Sequence, residues 1–176
     1  MAALAGRLGE PVGLWRVTGW CPDLDYFAVD GDWSRHGVLA AQWLAGRLPE
    51  AALEAIAAHD HRAGRTATTR LADMLRLADA LAVAVETLRG RDGFAARFAG
   101  RGPGEPLVAG KPYLDAVIAG TADLHGLDRD GIPDLLPRSD PWSRCAIGPL
   151  MQRSGKRLYS EGGVQLVPLV ARCSKR

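Results

Sequence analysis

The sequence predicts an all-α fold: a single helical bundle with a C-terminal helical extension and a poorly ordered tail. Three observations carry this. Apolar residues recur at three- and four-residue spacing in several segments, no run alternates as a strand does, and prolines and glycines stand where helices open and close. At 176 residues the chain is long enough to bury a core without disulfides. Its three cysteines, Cys21, Cys145 and Cys173, are too scattered for a disulfide framework or a metal-binding pair, which predicts a reduced, cytoplasmic setting. No signal peptide is expected at the N-terminus, and no stretch of eighteen apolar residues predicts a membrane span.

Taken in order, residues 4–8 close a helix at Gly9, and Pro11 opens another that runs through Trp20. The next sixteen residues, CPDLDYFAVDGDWSRH, hold four carboxylates and almost no periodicity, so they read as a loop. Residues 35–48 place Leu39, Trp43, Leu44 and Leu48 on one face. Pro49 then opens a helix with Leu53, Ile56 and His59 along one side. The clearest core helix spans residues 68–88, with Leu71, Met74, Leu75, Ala78, Leu81, Ala82, Val85 and Leu88 in its stripe. Trp15, Trp20 and Trp43 fall on apolar faces and are expected in the core; Trp33, in the acidic loop, is expected to cover its end of the bundle.

Six glycines and two prolines in residues 90–110 predict a linker. Pro112 opens a further helix that ends at Gly126, and a short helical piece follows Pro133. The expected organisation is therefore a helical core over 1–90, a linker over 91–110, a helical extension over 111–136 and a basic, disordered tail over 137–176.

The net charge is +2, but it is unevenly spread. Residues 1–60 carry four arginines against eight acids, a balance of −4, and residues 141–176 carry seven Lys or Arg against Glu161, a balance of +6. An acidic first third is unlike a nucleic-acid footprint and suits a cation site, and a nucleic-acid or membrane adaptor working through the basic tail ranks last because a short basic, disordered tail is more often a solvated terminus. His36 opens one predicted helix and His59 ends the next. A short turn at Pro49 makes these helices antiparallel, which puts both imidazoles at one end of the bundle. The loop bearing Asp23, Asp25, Asp30 and Asp32 is tied covalently to that end. Imidazoles beside carboxylates suit a divalent cation. Singly, each residue has a plainer reading: His59 as a cation facing a helix C-terminus, His36 as a first-turn surface residue, Asp79 as a solvated acid, and Asp60 and His61 as polar loop residues.

The ordered series CPDLDY, the acidic stretch, SRHG, a helix, LPEAALEAIAAH and then LADMLRLADAL resembles the HD-domain superfamily of metal-dependent phosphohydrolases. RLGEPVGLWRVTGW ahead of it resembles the helix leading into that family's His-Asp pair, so the resemblance covers residues 5–90. It implies an HD-domain-like bundle. Asp23 would be the catalytic and metal-binding aspartate of the pair, His36 and His59 additional metal-binding histidines, and Asp79 the closing ligand. It further implies a divalent metal cofactor (Mn, Fe, Mg or Zn) and, as partner, a nucleotide or other small phosphorylated substrate.

Two departures bear on activity. Pro22 stands where the family has its signature histidine, and only the last turns remain of the helix that carries the family's first histidine. The expected activity is reduced or absent unless Asp23, His36 and His59, with Asp79, suffice to hold one ion. The alternative is a catalytically impaired relative that binds a nucleotide or partner.

Overall fold

A computed structural model describes residues 1–136, which fall in one compact unit. The expectation of a disordered tail over residues 137–176 lies outside the described residues. Among the described residues seven α-helices follow one another: α1 (Ala2–Leu8), α2 (Val12–Thr18), α3 (Val38–Trp43), α4 (Glu50–Ala58), α5 (Arg70–Thr87), α6 (Arg91–Gly100) and α7 (Tyr113–Leu124). Short 3₁₀ turns intervene at Pro22–Asp25, Trp33–Arg35, His61–Ala63 and Ile132–Leu135, and there is no strand among the described residues. None of the described helices is long and apolar enough to cross a membrane.

The longest of the described helices, α5, organises the rest. It begins at Thr69, whose extended backbone and side-chain oxygen, accepting from the Ala72 amide at 3.2 Å, satisfy a free first-turn donor. It packs against α4, α6 and α7. Being enclosed on several sides, it buries more than the single expected stripe. Leu77, Ala80 and Ala84 are buried along with Leu71, Met74, Leu75 and Leu81, whereas the stripe residue Ala82 is exposed. Arg76 of α5 donates to the Ala58 carbonyl at 2.6 Å and also to that of Arg65. A cation thus meets the last carbonyl of α4, where the helix leaves acceptors unpaired, and fixes the end of α4 to α5.

Four expectations change. The helix predicted over residues 35–48 is shorter: His36 is extended (ψ 133°), Gly37 has φ 76°, and the regular helix starts at Val38. Of the tryptophans expected in the core, Trp15 is buried, but Trp20 is 71% exposed and Trp43 49% exposed.

The predicted linker over 91–110 instead holds α6 and fully buries Phe94, with Leu107 and Val108 buried beyond it. Its glycines serve the fold: a Cβ at Gly93 would lie 1.9 Å from the Leu88 carbonyl oxygen, so only glycine lets α6 turn away so soon after α5. Nor is the segment over 111–136 an appendage. α7 packs on α5 and buries Leu114, Ile118 and Ala122 in the common core.

Candidate metal centre

The acidic loop is built by short-range bonds. Thr18 donates its hydroxyl to the Leu14 carbonyl and Cys21 its thiol to that of Val17, which closes the end of α2. Buried Pro22 then opens a 3₁₀ turn. With three residues per turn, Asp23 and Asp25 leave the backbone in different directions. Asp23 faces outward, its side chain 68% exposed, whereas Asp25 is fully buried. There the Asp25 carboxylate accepts from the Ala40 amide at 2.9 Å and from His36 Nδ1 at 2.7 Å. His36 is itself buried, and its Nε2 lies 3.3 Å from Asp23 Oδ1.

His59, at the C-cap of α4, is likewise buried and donates Nδ1–H to the Ile56 carbonyl at 2.8 Å. The His36 and His59 rings stand 4.8 Å apart at 72°. Gly37 makes this approach possible. At φ 76° a side chain is disfavoured in any case, and a Cβ would lie 2.4 Å from the Ile56 carbonyl oxygen and 2.7 Å from His59 Nδ1.

One ligand atom from each of Asp23, His36 and His59 falls within 4.8 Å of the others, so the three can hold a metal ion. The donor chemistry fits. In each imidazole Nδ1–H is committed to an oxygen, which leaves the lone pair of a neutral ring on Nε2, and the exposed carboxylate adds a charged oxygen. Asp25 behind His36 and the Ile56 carbonyl behind His59 occupy the positions of outer partners that orient ligating histidines.

Without a metal these pairings favour the protonated His36 ring, which donates from both nitrogens and must lose the Nε2 proton before an ion can bind. The hydrogen bond from His36 Nε2–H holds the Asp23 carboxyl below the usual carboxylate range, and the nearby His59 adds to the lowering. Burial alone would lower His36, but its bonds to Asp23 and Asp25 and their charges raise it above the usual imidazole value.

Asp79 is not part of the three-residue cluster. It lies on α5 and lines a small cavity of ≈ 40 Å³ with His59, Arg76 and Tyr113. Burial raises its carboxyl, and the negative charges of Asp23 and Asp60 add to this while His59 and His36 oppose it. Asp60 and His61 also stay outside the cluster. Asp60 is buried and bound bidentately by Arg62, and the exposed His61 ring rests 4.9 Å from that of Tyr113. Trp33 packs edge-on against His36 at 5.6 Å and carries the Arg62 guanidinium 4.0 Å above its ring, so it walls one side of the centre. A larger concavity of ≈ 670 Å³, lined by Phe98, Arg101, Ile118 and Arg129 among others, holds none of the four candidate ligands.

Sequence reasoning missed the distinct parts played by Asp25 and Gly37. A signal for the first was present, because two aspartates two apart in a proline-opened turn cannot share a face. The second was marked by a glycine directly after a histidine. No protein family, curated protein or solved structure matches the chain.

Proposed function

We propose that the chain binds one divalent metal ion through Asp23, His36 and His59 and hydrolyses a phosphate ester of a nucleotide or other small phosphorylated molecule, as an HD-domain-like phosphohydrolase. One observation carries the reading: two buried imidazoles, each with Nδ1–H tied to an oxygen, meet one exposed carboxylate. Bound there, a divalent ion supplies a water acidified toward ~7 and neutralises charge gathering on phosphorus. The imidazole pair suits Zn, Fe or Mn better than Mg, which prefers oxygen ligands and retained water. His36 and His59 hold from the buried side and Asp23 from the solvent side, which leaves the approach for a phosphorylated substrate along Asp23. Asp79 lines a small cavity with His59, which supports it as the further carboxylate of the motif series.

A second reading has its own observation. Pro22, at the position of the signature histidine, is buried and offers no donor atom, which favours a catalytically impaired relative that binds nucleotide without turning it over. Elemental analysis of the purified protein with a panel of phosphate esters separates the two. About one metal per chain and hydrolysis lost in Asp23→Ala and His36→Ala are expected of the first. A folded, metal-free protein that binds nucleotide without hydrolysis selects the second.

A further inference from the structure

We infer that Asp25 is a positioning residue: it sets which nitrogen of His36 carries the proton in the neutral ring and so which one is offered to the metal centre. The premise rests on the hydrogen bonds alone, and the consequence for metal binding rests on the reading proposed above.

The Asp25 carboxylate is fully buried and has two partners on opposite oxygens. Oδ2 accepts from the Ala40 amide at 2.9 Å and Oδ1 faces His36 Nδ1 at 2.7 Å. With Oδ2 taken by the amide, Oδ1 is placed to accept Nδ1–H, and a neutral ring then keeps its lone pair on Nε2. That is the nitrogen 3.3 Å from Asp23. Asp25 has no part in the cluster itself, because its outward neighbour Asp23 is the carboxylate that meets Nε2. Its anchorage to Ala40 also holds the ring against the start of α3, so tautomer and orientation depend on one side chain.

Asparagine at position 25 separates this role from simple packing, since it has the same shape. If its carbonyl keeps the Ala40 amide, its NH₂ faces Nδ1, which must then accept and push the ring proton to Nε2. The loop stays pinned, but the nitrogen needed by a metal is blocked.

The test uses the full chain in two measurements. ¹⁵N-edited NMR of the metal-free protein, at a pH where His36 is neutral, reads the tautomer directly, and competition with a chromophoric chelator gives the zinc(II) affinity. We expect an Nδ1–H tautomer in the parent protein. In Asp25→Asn we expect an Nε2–H tautomer with zinc affinity 10- to 100-fold weaker, the range seen when an outer partner of a ligating histidine is removed.

An Nε2–H tautomer in the parent protein overturns the inference and needs no variant, so a misfolded Asp25→Asn chain does not shelter it. A folded Asp25→Asn protein with an unchanged tautomer, or with unchanged zinc affinity, overturns it as well. A parent protein that binds no zinc sinks the metal-binding reading instead, and the tautomer still decides the role of Asp25.

Discussion

At the scale of single residues, the centre depends on an approach that only glycine permits. Gly37 and Gly46 both have positive φ, 76° and 74°, but a Cβ at Gly46 meets nothing within 4 Å, whereas one at Gly37 meets the Ile56 carbonyl and the His59 ring. Backbone strain alone costs about 1–3 kcal/mol at such positions. Gly46→Ala should show only that strain in urea unfolding, and Gly37→Ala should lose more and also weaken metal binding by displacing His59. Equal losses for the two would show that the approach at Gly37 is not tight. The same centre sets a pH dependence. His36 is raised on folding, so its contribution to stability is full below the unfolded value of ~6.5 and is lost as pH rises through the folded value. Asp23 is lowered, so its contribution is present above the unfolded value of ~3.9 and is lost as pH falls through the folded value. The metal-free protein should therefore have its highest urea midpoint between these limits and decline toward alkaline pH. A divalent ion needs the His36 lone pair and competes with the proton, so its affinity should rise over the range in which that stability falls. A flat metal-free profile above pH 6.5 would remove the His36–carboxylate pairing as its cause.

At the scale of elements, α6 distinguishes a packed bundle from a core with a loose extension. Phe94 is fully buried and stacks on Phe98 one turn later, with ring centroids 5.5 Å apart. Phe94→Ala should cost about 3–5 kcal/mol if α6 belongs to the common core, as a buried phenylalanine does, and almost nothing if the segment were a linker. Unfolding followed by tryptophan fluorescence measures this through Trp15, itself buried in the same core cluster. The helix was hard to read because six glycines and two prolines outweigh one aromatic pair when a segment is judged by composition. The Phe94–Phe98 spacing of four was the visible signal. α5 was legible because its apolar period is long and uninterrupted, although its enclosure by three neighbours blurred which residues it would bury. Trp20 and Trp43 were misplaced because an aromatic residue near a helix end fits an apolar stripe on paper, while the chain beside it has already turned outward. In the site, the nearness of His36 and His59 followed from two helices joined at Pro49. The inward turn of Asp25 was marked only by its spacing of two from Asp23 in a proline-opened turn, which says that the two diverge but not which of them turns inward.

At the scale of the whole molecule, the three candidate ligands come from three separate elements of the chain. Asp23 lies on the turn after α2, His36 ahead of α3, and His59 at the end of α4, which Arg76 ties to the central α5. An unfolded chain does not keep such a set together, so an ion that binds it binds the folded state. Free metal at 100 times its dissociation constant should then add about 2.7 kcal/mol. For a chain of this size that raises the thermal midpoint by about 5–10 °C. The rise should reverse on adding a chelator and should be absent in His36→Ala and His59→Ala. In Phe94→Ala it should survive in full, because that substitution weakens the core without touching a ligand. The contrast matters because metal ions also bind loosely to exposed acidic surfaces, as the first sixty residues of this chain invite. Loose binding would raise the midpoint by similar amounts in the parent protein and in both histidine variants, and that result would remove the three-residue centre from the account. A rise confined to chains that keep both histidines ties the stability of the bundle to the geometry of the centre.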